Sequence, residues 1–245
     1  MKVLILGGTT EASAIARGLA GGAATLSLAG RTRAPAASPI PTRTGGFGGA
    51  AGLARYLRDE AVDVLVDATH PFAAQMSRHA EAAATQTGVA LLAVLRPPWR
   101  PQDGDRWTEV ADMAAAAAAL GTTPRRVFLT VGQQELAPFR AAPWHRYLIR
   151  SVDPIADPPP DAACFTARGP FAEADEQALL AREGIEVLVT KNSGGSATAA
   201  KLAAARTLGV AVVIVARPPA GAAPSVPDAQ AALAWLRRHA QERGA

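Results

Sequence analysis

The first residues with the type and spacing for ligand chemistry lie at the N-terminus. Lys2 to Leu6 is a short apolar run, Gly7 and Gly8 interrupt it, and residues 11–20 have helical composition. The order strand, glycine turn, helix directs unpaired backbone N–H groups and the positive end of a helix dipole at one point, where a dinucleotide pyrophosphate usually binds. We therefore predict cofactor contacts from Gly7, Gly8, Thr9, Thr10 and Glu11.

This turn matches the dinucleotide fingerprint G-x-G-x-x-G only in part, with Gly7, Thr9 and Ala12 at the three glycine positions. Alanine is an accepted third residue, and the threonine hydroxyl could donate a hydrogen bond to a phosphate. Glu11 is an unfavourable neighbour for an anion, so we assign it to stabilising the helix N-terminus. The alternative is a strand–helix turn that binds no ligand.

The residues after the second apolar run bear on the choice of cofactor. Residues 24–29 are followed by Gly30-Arg31-Thr32-Arg33, where an NAD site would have an acidic residue about 20 residues after the turn. Arginine suits the 2′-phosphate of NADP(H), and threonine adds a donor. We therefore predict NADP(H) contacts from Arg31, Thr32 and Arg33. The alternative is a solvated basic loop.

Composition limits the class of protein. The 245 residues, 49% of them hydrophobic, suffice for one large or two modest domains. No apolar run reaches the roughly 18 residues of a membrane span and no basic segment precedes Val3, so we expect a soluble, cytoplasmic protein without a membrane partner. The single cysteine, Cys164, excludes an internal disulfide.

The charge of the chain points to small anionic partners. The net charge is +4, and the excess of basic residues is largely arginine. Because these residues are scattered and only 5% of the chain is aromatic, we do not expect nucleic-acid binding. A small molecule with phosphate or carboxylate groups accounts for the same surplus, and we expect a monomer.

An internal repeat predicts the architecture. Residues 62–98 contain VDVLVDATHPFA, a helix and GVALLAVLRPP, and residues 185–219 contain IEVLVTKNSGG, a helix and GVAVVIVARPP. This alternation predicts an α/β fold of two Rossmann-like halves, with parallel sheets and a cleft between them. The expected domains are residues 1–98, which bind NADP, and 99–245, which provide the substrate wall. Residues 97–107 form the natural linker.

Ligands of open α/β sheets bind beyond the carboxyl ends of the strands, so the residues that follow each strand are site candidates. In the first half, the further cofactor candidates are Gly45, Gly46, Thr69, His70, Pro71 and Arg96. The glycines could let a backbone approach a flat ligand or could simply form a flexible loop. In the second half, the equivalent substrate candidates are Arg168, Lys191, Asn192, Ser193 and Gly194. The four histidines lack zinc-ligand spacing, so we expect no metal site.

Taken together, the segments LILGGTTEA, LAGRT, DATHPFA, ARGPF and TKNSGG resemble the precorrin-6A reductases of cobalamin biosynthesis over nearly the whole chain. The resemblance implies NADPH-dependent reduction of one double bond of the macrocycle to give precorrin-6B, or the same step on a cobalt-containing ring. It implies cofactor contacts from residues 7–11, 31, 32 and 69–71, and substrate contacts from residues 191–194 and Lys201. The substrate would be a tetrapyrrole with many carboxylates, which suits a basic wall.

Two roles remain open at this stage. We predict that His70 lies beside the nicotinamide and positions it, in a turn made rigid by Pro71; the alternative is a histidine that only caps local backbone groups. Ser193 could bind substrate, cap a helix, or do both. A different class of function, a sensor or scaffold that binds NADP without turnover, would not need the second set of strand-end residues.

Overall fold

The computed structural model describes residues 1–30 and 36–244, so Arg31, Thr32 and Arg33 lie outside the described residues. The described part contains two six-stranded sheets and eight α-helices. No helix within residues 1–30 and 36–244 is both long enough and apolar enough to cross a membrane.

The strands and helices alternate along the chain. The first sheet contains β1 (Val3–Leu6), β2 (Ala24–Leu28), β3 (Thr42–Thr44), β4 (Val64–Asp67), β5 (Ala90–Val94) and β12 (Ser225–Val226). The second contains β6 (Trp107–Val110), β7 (Arg126–Leu129), β8 (Arg146–Ser151), β9 (Ala163–Thr166), β10 (Val187–Lys191) and β11 (Ala211–Val215). The helices are α1 (Thr10–Gly18), α2 (Gly49–Asp59), α3 (Ala74–Thr87), α4 (Met113–Ala119), α5 (Ala137–Arg140), α6 (Glu173–Arg182), α7 (Ala200–Leu208) and α8 (Ala229–Gly244).

Every strand pair is parallel, and the two sheets have corresponding orders. The first runs β3-β2-β1-β4-β5-β12 and the second runs β9-β8-β7-β10-β11-β6. The predicted α/β fold with parallel, Rossmann-like sheets is confirmed. In each sheet the strand order reverses beside the first central strand, at β1/β4 and at β7/β10, which is where open α/β sheets bind ligands.

The chain divides into two compact units whose limits differ from the expected domains. Unit 1 comprises Met1–Pro97 and the C-terminal segment from Pro218, and unit 2 comprises Pro98–Arg217. The assignment of residues 99–245 to one domain is therefore wrong for the last part of the chain. The reason is that β12 pairs with β5 and that Leu233 of α8 packs closely over Gly18 of α1.

One edge strand of each sheet follows directly after the βαβ repeat whose own strands lie in the other sheet. After β5, the chain passes Pro97 and Pro98 and supplies β6, which pairs with β11. After β11, it passes Pro218 and Pro219 and supplies β12, which pairs with β5. The two βαβ repeats thus exchange the strands that follow their shared ending.

Apolar strands with both faces covered form the core of each unit, as expected of parallel sheets. In unit 1, Ile5 of β1 packs into a cluster with Ile15 and Leu236, while Leu4 packs into a cluster with Leu53 on the opposite face. In unit 2, a cluster that includes Phe128 and Leu188 covers one face of the second sheet. These cores fix the strand ends from which the candidate site residues project.

Candidate functional site

The turn after β1 is held to the end of β4 by Thr9. Its hydroxyl accepts a hydrogen bond from Ala12 N at 3.1 Å, which caps α1, and donates one to Ala68 O at 2.7 Å. The hydroxyl that was expected to donate to a phosphate thus donates to Ala68 O in this structure. Thr9 instead joins the two strand ends at the point where the strand order reverses.

The two glycines of this turn have different structural roles. A Cβ on Gly7 would lie 2.6 Å from Leu26 Cδ1, so glycine is needed for close packing against β2. Gly8 has φ of +111°, and a Cβ there would meet no atom within 4 Å. Glycine adopts such a backbone at no steric cost. The open space beside Gly8 and the exposed Thr10 at the start of α1 make this turn accessible to a ligand.

Glu11 and Arg96 form an ion pair in unit 1. Arg96 Nη1 lies 2.8 Å from Glu11 Oε2, which also accepts from Thr10 Oγ1 at 3.1 Å. Burial opposes ionisation of Glu11, but a backbone hydrogen bond, the Arg96 charge and these side-chain hydrogen bonds outweigh it and lower its pKa. Arg96 was expected to contact the cofactor. In this structure its charge compensates the negative charge of Glu11, which was expected to disfavour an anion.

The residues after β4 form a local turn. Asp67 Oδ1 accepts hydrogen bonds from Thr69 N at 3.1 Å and Thr69 Oγ1 at 2.7 Å. His70 Nδ1 accepts one from Phe72 N at 3.3 Å, and Ala73 N donates to His70 O at 2.7 Å. Thr69, His70 and Pro71 therefore lie together on the edge that carries the β1 turn, and His70 does cap local backbone groups.

The glycine loop after β3 is tied to Arg43. Its guanidinium donates to Ser27 Oγ at 2.7 Å, Gly45 O at 3.0 Å and Gly46 O at 3.2 Å, and lies 3.9 Å from the centre of the Phe47 ring. Gly45 and Gly46 are therefore ordered by the arginine instead of forming the flexible loop considered above. Arg43 was not among the candidate residues, because it lies within β3 and not after the end of a strand.

Lys191 ends β10 in unit 2 and is paired with Glu135, which follows β7. Lys191 Nζ lies 2.8 Å from each Glu135 carboxylate oxygen, and Gly132 N also donates to Oε2 at 2.8 Å. The pair spans β7/β10, the position that corresponds to β1/β4 in unit 1. Sequence reasoning missed Glu135, because the strand order that brings β7 beside β10 is not visible in the sequence.

Asn192 holds the chain segment that precedes β6. Its Oδ1 accepts from Trp99 N at 2.8 Å and its Nδ2 donates to Trp99 O at 3.0 Å, while Arg217 Nε donates to Asn192 O at 2.7 Å. The indole of Trp99 donates to Gly195 O at 3.0 Å. The side-chain amide of Asn192 is therefore engaged by the main chain of Trp99 within unit 2.

The remaining substrate candidates fall into two groups. Ser193 is buried and Gly194 has φ of +63°, but α7 begins only at Ala200, so the expectation that Ser193 opens or caps this helix is wrong. Arg168 is exposed in the segment after β9. Arg168 and residues 193–194 both follow strands of the second sheet.

Lys201 projects from the first turn of α7 and is 95% buried, since its exposed fraction is 5%. Its Nζ lies 5.6 Å from the centre of a Trp99 ring, and within residues 1–30 and 36–244 it makes no hydrogen bond or ion pair. Its pKa is lowered to about 7, mainly by burial; the charges of Arg150 and Lys191 also act to lower it, whereas that of Glu176 acts to raise it. Such a group is suited to receiving an anionic ligand.

Metal ligation has no candidate in the part of the chain that is described, where no three His, Cys, Asp or Glu side chains cluster closely enough to hold an ion.

The buried His145 in unit 2 lies with Nε2 3.1 Å from Gly121 O. Burial lowers its pKa, and the charge of Arg125 acts in the same direction.

Comparison with known proteins bears on this arrangement. The family model for precorrin-6x reductase CbiJ/CobK matches residues 2–237. The chain belongs to the precorrin-6x reductase family. A precorrin-6A reductase from Rhodobacter capsulatus is 53% identical over 242 residues, which cover 97% of this chain and 96% of that protein.

The fold of the family is shared as well. A solved structure of CobK precorrin-6A reductase has a TM-score of 0.93 and 52% identity, covering 98% of this chain and 97% of that one. A cobalt-precorrin-6A reductase from Synechocystis is more distant, with 31% identity over 232 residues and 88% of each chain covered. The family and both α/β sheets expected from the sequence are thereby confirmed.

Proposed function

We propose that this protein reduces one double bond of precorrin-6A with NADPH, giving precorrin-6B in cobalamin biosynthesis. The observation that carries the proposal is the family match over residues 2–237 together with a 53% identical precorrin-6A reductase. The metal-free ring is favoured over the cobalt-containing one, because the cobalt-precorrin-6A reductase of Synechocystis is only 31% identical.

The residues of unit 1 fit a dinucleotide. Gly8 leaves open space beside the N-terminus of α1, which supplies backbone donors and a positive dipole end for a pyrophosphate. The negative charge of Glu11 would disfavour a bound pyrophosphate, but the ion pair with Arg96 compensates it. We therefore assign Gly7 to Glu11 to the pyrophosphate, with Arg96 acting through Glu11.

The reduced nicotinamide would supply the hydride when bound. Thr69, His70 and Pro71 would position it, because their turn is fixed by Asp67 beside the β1 turn, to which Ala68 is hydrogen-bonded. His70 Nδ1 accepts a hydrogen bond from Phe72 N at 3.3 Å, which fixes the orientation of the imidazole ring. This supports a positioning role, in which orientation and not proton transfer is the contribution of the histidine.

The tetrapyrrole carboxylates would contact unit 2. Lys191 and Lys201 supply ammonium groups, and the backbone around Ser193 and Gly194 supplies N–H donors. Lys201 is the stronger candidate, since burial strips its ammonium of water and no carboxylate of the described residues pairs with it. Arg168 would add a contact from the exposed segment after β9.

The experiment that tests this proposal follows the absorbance of reduced nicotinamide when precorrin-6A is added to purified protein. We expect stoichiometric NADPH oxidation and a product heavier by two hydrogen atoms, with NADH a much poorer donor. Tight NADPH binding with no oxidation in the presence of precorrin-6A would instead support the sensor or scaffold considered above. Oxidation only with the cobalt-containing ring would reassign the substrate.

A further inference from the structure

Arg150 and Glu176 form a buried ion pair that none of the roles above explains. Arg150 lies in β8 and Glu176 in α6, both are at least 92% buried, and two hydrogen bonds join them, with Nη2 to Oε2 at 3.1 Å. Desolvating two charges is costly, and apolar residues in place of such pairs are often neutral or stabilising. A contribution to folding stability is therefore a weak explanation for the presence of this ion pair.

The pair supports an aromatic side chain in the segment after β9. The guanidinium carbon of Arg150 lies 3.8 Å from the centre of the Phe171 ring and 5.1 Å from that of Phe128. Phe171 N donates to Ala197 O at 3.3 Å, and a Cβ on Gly169 would lie 2.9 Å from the same oxygen. Arg150 thus holds residues 168–171 against the turn that leads into α7.

That turn leads to the helix that carries Lys201. The charges that act on this ammonium are Arg150 from β8, Glu176 from α6 and Lys191 from β10, and Lys191 is itself paired with Glu135. Two of the three are positive and oppose protonation of Lys201, whereas Glu176 favours it. The carboxylate of Glu176 therefore has two effects, one on Phe171 through Arg150 and one on the charge state of Lys201.

We propose that Glu176 is a positioning residue for substrate binding, which holds Phe171 in place through Arg150 and whose negative charge acts on the Lys201 ammonium. This inference rests on the proposed function, because the ligand of Lys201 would be a tetrapyrrole carboxylate. It assigns to Glu176 a role in keeping Lys201 able to bind an anion near neutral pH, against the opposing charge of Arg150.

The test is the variant Glu176→Gln, which keeps the shape and an acceptor for Arg150 but removes the charge. Steady-state kinetics with NADPH and precorrin-6A would be measured between pH 6 and 9. Losing the Glu176 charge lowers the pKa of Lys201, so the alkaline limb of kcat/KM should move down by about half a pH unit. The KM for precorrin-6A should rise about threefold at pH 8 and change less than about twofold at pH 6, with unchanged NADPH affinity.

A matched control is Asp105→Asn in the same unit. Asp105 has a side chain only 1% exposed and accepts from Arg206 of α7 at 3.0 and 3.3 Å, so losing its charge also leaves an arginine, here partly exposed, without its anionic partner. We expect this variant to lose stability without moving the alkaline limb. A purely structural role for Glu176 predicts the same result for both variants.

A second variant covers the case in which Glu176→Gln does not fold. Arg150→Met combined with Glu176→Gln removes both charges, and the alkaline limb should return toward that of the wild type. If folded Glu176→Gln has wild-type turnover and an unmoved alkaline limb of kcat/KM, this inference alone is overturned. The same holds if the alkaline limb does not differ between the single and double variants. A wild type that does not turn over precorrin-6A would overturn the proposed function as well.

Discussion

Asn192 and Trp99 are joined by two hydrogen bonds, in which the amide of Asn192 accepts from Trp99 N at 2.8 Å and donates to Trp99 O at 3.0 Å. The side chain is 94% buried and lies 93 residues from its partner in the sequence. The amide thereby satisfies two main-chain groups of the segment before β6. Asn192, which was expected to bind substrate, therefore joins the end of β10 to the segment before β6.

This relationship predicts the effect of Asn192→Ala. Two main-chain groups of Trp99 lose their partners, at a cost of about 1–3 kcal/mol for each group that stays unsatisfied. The free energy of unfolding in urea should fall by about 2–4 kcal/mol. Asn192→Asp retains the acceptor and should lose less at neutral pH. Unchanged stability with weakened tetrapyrrole binding would restore the original assignment.

The ion pair of Glu11 and Arg96 predicts a rescue experiment. Arg96→Ala leaves the Glu11 charge uncompensated beside the N-terminus of α1, so the Kd for NADPH should rise about tenfold. Adding Glu11→Gln should restore most of the affinity. If Arg96 contacts the phosphates directly, the double variant will bind as weakly as Arg96→Ala. Isothermal titration with NADPH separates these outcomes.

Ionisation of Glu11 also predicts a pH effect. Its folded-state pKa lies below its ordinary value of 4.5, so the pair contributes stability above that pH and loses it as the pH falls through the lower folded value. Glu11→Gln should therefore reduce stability at pH 7 but have a smaller effect near pH 3. Thermal unfolding of both proteins across this range would measure the difference.

Lys191→Ala tests the substrate assignment in unit 2. We expect the KM for precorrin-6A to rise about tenfold while the Kd for NADPH stays within about twofold, because only a substrate contact is lost. Glu135→Gln is the control, since it leaves the ammonium present but releases it from its partner. Equal losses in both variants would mean that the pair is purely structural, and weaker NADPH binding alone would assign this residue to the cofactor.

Arg31 lies outside the described residues, and its role remains a prediction from the sequence. Arg31→Ala should raise the Kd for NADPH about ten- to a hundredfold, because a charge-assisted contact to phosphate contributes about 1.5–3 kcal/mol. The Kd for NADH should change little. An equal loss for both nucleotides would show that the 2′-phosphate is bound by other residues.

Burial of Lys201 predicts that stability rises with pH. Its pKa falls from 10.5 to about 7, so the unfolded chain holds this proton between those values and the folded chain does not. The resulting penalty is fully present below pH 7 and vanishes as the pH rises toward 10.5. Lys201→Met should stabilise the protein at pH 7 by up to about 5 kcal/mol, since each pKa unit is worth about 1.4 kcal/mol. A gain that does not shrink at pH 10 would contradict this account.

The sequence alone determined the local structure of this protein. The apolar run before Gly7 and the run before Lys191 both form the expected parallel strands, because strand patterns and turn residues act over only a few neighbours. The same reasoning found the edges of the two sheets and therefore the strand-end residues. It also found the family, which depends on several such segments in order.

Only the tertiary structure decided the contacts between distant parts of the chain. The shared endings LRPP and ARPP gave no sign that β6 and β12 are exchanged, because either strand could continue its own repeat with the same local pattern. The pairs Glu11–Arg96 and Lys191–Glu135 join residues 85 and 56 positions apart. Which charges meet at such separations is set by strand order and burial, and neither is written in the spacing of the residues along the chain.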